Sequence, residues 1–330
     1  MTEFLSANES AVQKAAGFLD QGEVVALPTE TVYGLAADAT NETAVQTIFD
    51  MKGRPSFNPL IVHVSDVNMA RTYGQFNPTA DLLAQTFWPG PLTLILPIAD
   101  GAKLAPNVTA GLKTVGLRHP DQNTTCAVIS ALGRPVAAPS ANVSGKLSPT
   151  TPQHVAASFG ESIRFIITGG KARVGLESTI VDLTGDVPAL LRAGFITLAD
   201  LTNLIGEVRD ETQSSDDMAP KAPGQMLRHY APRTPVRLNA VDVKKGEALL
   251  AFGSVQFMGI DGGGHVRDLP ISHYKNLSET ADLGEAASNL FSMLHDLDRA
   301  GAERIAVMNI PDADIGSAIN DRLRRAAETT

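Results

Sequence analysis

The sequence predicts an α/β protein built on an open mixed sheet, with a second, smaller α/β unit after it. Segments with apolar residues at helical spacing alternate with short unbroken apolar runs. Several of those runs also follow one another with no helix between them, which a purely parallel sheet does not allow. The composition agrees: of 330 residues, 43% are hydrophobic, 19% charged and 5% aromatic, the balance of an ordinary globular chain.

In chain order, Val12, Ala15, Ala16 and Leu19 share a helical face and Gly22 stands just past the end, so 9–21 is a helix. The run EVVAL is the next strand. A helix near 41–51, the strand LIVHV, helices near 66–73 and 79–87, the strands LTLIL and VGLR, a helix near 123–132 and the strand PVAA follow. A helix near 152–159 and the strands RFIIT, STIVDL and PALLR complete a first domain of residues 1–208. The composition then changes. The acid-rich stretch EVRDETQSSDD gives way to MAPKAPGQMLRHYAPRTP, which carries Lys221, Arg228 and Arg233 and no acid, so 209–235 reads as a proline-punctuated linker. Beyond it the run ALLAFG, a helix over about 278–300, the strand RIAVMNI and a final helix near 312–327 form an α/β domain of 236–330. No internal repeat is present.

The formal net charge of −9 removes any general attraction to nucleic acid or an anionic membrane, so a bound anion must meet a local cluster of cations. The lone Cys126 has no internal disulfide partner, and MTEFLSANES lacks the basic and apolar parts of a leader. The run Leu92 to Ile98 is too short to span a bilayer. The expectation is a cytoplasmic protein without a membrane association.

The usual signatures are absent. There is no G-x-x-x-x-G-K-[ST], no G-x-G-x-x-G opening a helix, no G-x-S-x-G, no H-E-x-x-H and no paired C-x-x-C. What remains are polar stretches beside strand ends, where open α/β sheets bind ligands: PTETVYG (28–34), KGRPSFNPLIVHV (52–64), WPGPLTL (88–94), GLRHP (116–120), APSANVSGKLSPT (138–150), GLESTIVDL (175–183) and LLRAG (190–194). Each has a plainer reading. Lys52 and Arg54 suit a helix C-terminus, where the dipole favours cations. APSANVSG suits a turn, and His63 suits a hydrogen-bonded core histidine.

Their order and wording together resemble the threonylcarbamoyl-AMP synthase family, the YrdC-like enzymes, in the longer form with an extra C-terminal domain. LPTETVYGLAADA, the K-x-R of Lys52 and Arg54, the S-x-N of Ser140 and Asn142, ESTIVDL, and PGQMLRHYAP in the linker carry the resemblance. It covers the first 200 residues and the linker closely, and the last 95 loosely. It implies a YrdC-like open twisted mixed sheet followed by a Rossmann-like domain. It also implies condensation of L-threonine, bicarbonate and ATP to threonylcarbamoyl-AMP and pyrophosphate, the product going to the machinery that modifies position 37 of tRNA.

By the same resemblance, Lys52 and Arg54 are the catalytic phosphate and carbamate clamps. Asn58, Thr114, Ser140, Asn142, Ser148, Arg192 and Tyr230 join them on ATP, with Tyr230 reaching in from the linker as part of a lid. Thr31, His63, Arg118, Ala138 and Ser178 hold threonine, Arg118 taking the carboxylate with its planar fork. Magnesium is implied as a cofactor held by phosphates and water rather than by a protein cage. Without the family, Tyr230 reads as a linker anchor packed on a domain. One stretch departs from the family: TGGKARVG has Thr168 where relatives usually carry an acid, and adds Lys171 and Arg173. Two other classes stay open, an RNA-binding module and a carbamoyl transferase acting on another amine. The acidic charge and the lack of interleaved aromatic and basic residues argue against strong direct tRNA binding.

Overall fold

The computed structural model describes residues 2–213, 229–256 and 258–328. Most of the linker, 214–228 with Lys221 and Arg228, lies outside the described residues. The chain forms two compact units. The first takes the described residues up to 213 except 145–147 and 174–176, which group with the C-terminal residues in the second.

In the first unit β1 (Glu3–Ser6), α1 (Glu9–Asp20), β2 (Val25–Leu27), β3 (Gly34–Asp38), α2 (Glu42–Lys52), β4 (Ile61–His63), α3 (Val67–Arg71) and α4 (Pro78–Phe87) come first. Then follow β5 (Leu92–Pro97), β6 (Thr114–Arg118), α5 (Asn123–Leu132), β7 (Val136–Ala137), α6 (Pro152–Phe159), β8 (Phe165–Thr168), β9 (Thr179–Asp182), β10 (Ala189–Arg192), α7 (Leu198–Ile205) and β11 (Arg209–Asp210). The strands make one mixed sheet in the order β1-β8-β2-β3-β7-β4-β6-β5-β9-β10-β11. Asn8, Asn41, Asp66, Asn77, Thr151 and Thr197 each cap a helix by accepting a backbone N–H, typically worth about 1 kcal/mol apiece.

Strand alternation decides which residues enter the core. Along β6, Val115 and Leu117 point into the large core with Val62, Leu94, Leu96 and Val181, against Ile48 and Phe49 of α2 and Leu83 of α4. A second core sets Ala15, Ala16 and Leu19 of α1 and Val128, Ile129 and Leu132 of α5 on β2 and β8. The opposite face of β4, β5, β9 and β10 holds a separate small cluster of strand residues, Ile61, Ile95, Ile180, Ala189 and Leu191. No helical residue belongs to it, and this face carries the candidate site.

The second unit contains β12 (Val236–Arg237), β13 (Asp242–Val243), β14 (Glu247–Ala251), β15 (Gly259–Ile260), β16 (Tyr274–Asn276), α8 (Leu283–Asp298), β17 (Arg304–Val307) and α9 (Ile315–Ala327). Four of its strands form an all-parallel sheet in the order β12-β17-β14-β16, and β13 pairs with β15. Helix α8 begins at Leu283 rather than near 278, because Asp282 caps it and Ala281 turns the chain at φ +60°. Tyr230 is buried in this unit, its ring 5.6 Å from Phe291 of α8 and 5.4 Å below the Arg322 guanidinium of α9. Among the described residues no helix is long and apolar enough to cross a membrane.

Candidate active site

Lys52 is the last residue of α2, and Gly53 closes the helix in the left-handed conformation at φ +57°. The plain reading of a cation at a helix C-terminus is therefore true, and it is incomplete. The side chain turns inward and donates to the carbonyls of Ser140 and Asn142, both at 2.6 Å. Burial, and then the charge of Arg54, push its pKa well below the usual lysine value. An ammonium group has three N–H donors. Two tie down the S-x-N loop, and the third has no protein acceptor among the described residues.

Arg54 donates through Nε to the Asn58 carbonyl at 3.0 Å, and through Nη2 to Asn58 Oδ1 at 2.6 Å and the Pro59 carbonyl at 2.7 Å. This fixes the guanidinium along the loop leading into β4. Thr31 lies buried in the loop between β2 and β3, its hydroxyl 2.8 Å from that of Thr29. An antiparallel bridge between Gly34 and Ser140 sets that loop beside the S-x-N loop. Ala138 follows β7 and donates its N–H to the Ile61 carbonyl at 3.1 Å.

Strand β6 lays Thr114, Gly116 and Arg118 on the face opposite Val115 and Leu117. At Gly116 a Cβ would lie 3.1 Å from Ile95 and 3.5 Å from Thr93, so the glycine keeps this face low. His63 pairs in register with Arg118 across β4 and β6. It is buried, its Nδ1 has no hydrogen-bond partner among the described residues, and burial followed by the Arg118 charge lowers its pKa to about 3 against a smaller upward pull from the Ile61 backbone. On the next strands Ser178 shares a hydrogen bond with Thr93 at 2.7 Å. Arg192 donates to the Ser178 carbonyl at 3.0 Å and to its hydroxyl at 3.1 Å. Ser148 donates to Glu177 at 2.5 Å, joining the end of the S-x-N segment to the residue before Ser178.

The predicted residues of the first unit thus converge along one face and its rim, tied pairwise as Lys52 with Ser140 and Asn142, Arg54 with Asn58, His63 beside Arg118, and Ser178 with Arg192. Tyr230 sits in the second unit as a packed anchor, with its backbone at φ +61°. Two acids were not among the predicted site residues. Glu177 accepts from Ser148, and Glu30 lies buried 2.7 Å from Nη2 of Arg118. Both stand inside the quoted PTETVYG and GLESTIVDL stretches, so their positions were visible although their parts were not. No group of three or more His, Cys, Asp or Glu suited to a metal occurs among the described residues. The arrangement can bind several anionic groups at once.

Two family models match the chain. The Sua5/YciO/YrdC model, described as "Telomere recombination", covers residues 17–194, and "Threonylcarbamoyl-AMP synthase, C-terminal domain" covers residues 196–328. A threonylcarbamoyl-AMP synthase of Pyrococcus abyssi is 42% identical over 97% of this chain and 94% of its own length. One from Bacillus subtilis is 39% identical over 99% and 96%. The crystal structure of P. abyssi Sua5 complexed with L-threonine superposes with a TM-score of 0.87 at 37% identity, covering 99% of this chain and 98% of that one. E. coli YciO, at 22% identity and a TM-score of 0.51, shares the fold. With both models matched in order and relatives alike over their whole length, the chain belongs to the threonylcarbamoyl-AMP synthase family.

Proposed function

We infer that the protein condenses L-threonine, bicarbonate and ATP into threonylcarbamoyl-AMP and pyrophosphate. The observation that carries this is the convergence of Lys52, Arg54, Arg118 and Arg192 with Ser140 and Ser178 around one sheet face floored by isoleucines. The carbamate of threonine must attack the α-phosphate while pyrophosphate leaves, so three anionic groups crowd together. The main barrier is their repulsion, and preorganised cations and hydroxyl dipoles lower it without a protein nucleophile.

On this reading the labour divides among the residues. The third N–H of Lys52 is the donor available to a phosphate or carbamate oxygen, and an arriving anion stabilises the charged form that burial disfavours. Arg54, locked on Asn58, presents a fixed guanidinium beside it. Arg118 takes the threonine carboxylate, with neutral His63, Thr31, Ser178 and the Ala138 backbone around the amino acid. Arg192, Ser148, Asn142, Asn58 and Thr114 attend the nucleotide. Magnesium suits the triphosphate rather than this donor set, whose acids Glu30 and Glu177 are engaged with Arg118 and Ser148. When bound it would supply charge neutralisation on the phosphates.

The test is pyrophosphate release from ATP with magnesium, dependent on both threonine and bicarbonate. Release that ignores threonine, or an amino-acid screen that prefers another amine, overturns the reading. Lys52→Ala should lower turnover on the order of 100-fold, the scale of losing one preorganised donor. A loss under about threefold removes the clamp role.

A further inference from the structure

We propose that Glu30 makes the amino-acid subsite selective for a zwitterion, repelling a ligand that brings only a carboxylate and favouring one that brings an ammonium group with it. The inference rests on the placement of the substrate carboxylate at Arg118 given above.

Glu30 and Arg118 are each 4% exposed, and Glu30 Oε1 stands 2.7 Å from Arg118 Nη2. The contact is one of charge alone. Among the described residues neither carboxylate oxygen accepts a hydrogen bond of good geometry, and Nη2 donates none. A buried carboxylate normally collects N–H or O–H donors that delocalise and screen its charge. Among the described residues Glu30 collects none, so the Arg118 guanidinium is the group that offsets its charge. Arg118 keeps donors in reserve as well: Nε has a long 3.4 Å contact to the Gly90 carbonyl, and Nη1 bonds to no described residue.

The Arg118–Glu30 pair is a guanidinium beside a carboxylate. An α-amino acid is a carboxylate beside an ammonium, the electrostatic complement of that pair. Bicarbonate, triphosphate and pyrophosphate all occupy the same reaction, and an unmatched guanidinium would attract each of them. Glu30 keeps the subsite near neutral and leaves the strong cation field to Lys52, Arg54 and Arg192. The preference works through repulsion as much as attraction. At roughly 6 Å, with screening between that of water and of a protein surface, one unit charge changes a dissociation constant about tenfold.

The experiment is calorimetric titration of the full chain, without ATP, with L-threonine and with 3-hydroxybutyrate, which replaces the amine by hydrogen. In the wild type 3-hydroxybutyrate should bind at least about 30-fold more weakly. In Glu30→Gln the ratio of the two dissociation constants should fall about tenfold, mainly because 3-hydroxybutyrate binds more tightly, while Glu30→Asp keeps the wild-type ratio. A packing role for Glu30 would weaken both ligands together and leave the ratio alone. A ratio in Glu30→Gln within twofold of the wild type overturns the proposal. Should that variant fail to fold, a wild-type ratio below threefold overturns it equally. If the wild type releases pyrophosphate with threonine yet shows no selectivity, only this inference fails. If it binds no threonine at all, the synthase reading fails with it.

Discussion

His63 shows how one side chain can carry two readings. It is buried on a strand as a core histidine would be, yet its Nδ1 is left without a partner beside Arg118, as a substrate contact would require. Its folded pKa of about 3 lies below the ordinary 6.5. The unfolded chain therefore takes up a proton near pH 6.5 that the folded chain refuses until near pH 3. Across that window the unfolded state binds more protons, so stability falls as the pH falls, by up to about 1.4 kcal/mol per pH unit from this group. His63→Asn should make the plot of unfolding free energy against pH shallower between pH 6 and 4. Denaturant titrations at several pH values measure it, and an unchanged slope shows that His63 takes its proton in the folded state. The cations of the candidate site were named through the family resemblance, since from the residues alone Lys52 and Arg54 read as charges at a helix C-terminus. Glu30 and Glu177 were not, because an acid in an anion-binding pocket makes sense only once its buried neighbours, Arg118 and Ser148, are seen.

At the scale of elements, the site depends on how closely β9 and the turn after β10 approach each other. A Cβ at Gly194 would lie 2.5 Å from the Thr179 nitrogen, 2.7 Å from its hydroxyl and 2.9 Å from the Glu177 carbonyl. Two of those atoms are backbone and cannot swing aside. Gly194→Ala should therefore displace 177–179, which carries Ser178, at a cost of about 1–3 kcal/mol typical of overpacking, and activity should drop with stability. Thermal unfolding and pyrophosphate release measure both, and a variant matching the wild type in each shows that the approach is looser than drawn. Long periodic segments such as α1 and the runs around β5 and β9 were readable from apolar spacing. Strand β3, GLAAD, was not anticipated, because its five buried residues carry neither β-branching nor alternation. Helix α7 was also missed, although Thr197 and Asp200 cap it reciprocally. Its signals, a capping box and Leu198, Leu201, Leu204 and Ile205 at helical spacing, were present in the sequence.

For the molecule as a whole, the net charge of −9 does not by itself decide whether tRNA is bound, because a local basic patch can overcome it. The distribution of the cations decides. Lys52, Arg118 and Arg192 are buried and engaged with Ser140 and Asn142, with Glu30 and with Ser178 respectively. On the surface Arg71 faces Asp81, Arg134 faces Asp20 and Asp38, and Arg164 faces Glu23. Arg173, one of the additions that set TGGKARVG apart from the family pattern, faces Asp121 at 2.6 Å. Arg237 and Arg325 face Glu247 and Asp321 in the second unit. A cation already matched by an acid gains little from a phosphodiester and releases few counterions when it meets one. Direct binding of tRNA should therefore be no tighter than the non-specific range, roughly 10⁻⁴ to 10⁻⁶ M at physiological salt. Its dependence on salt should be shallow, because few phosphates are neutralised. Filter binding at about 50 and 200 mM salt measures both quantities. A submicromolar dissociation constant that weakens a thousandfold across that range would mean that residues 214–228, with Lys221 and Arg228, or a rearranged surface supply a basic track, and that the enzyme meets tRNA itself rather than only feeding its product to the step that does.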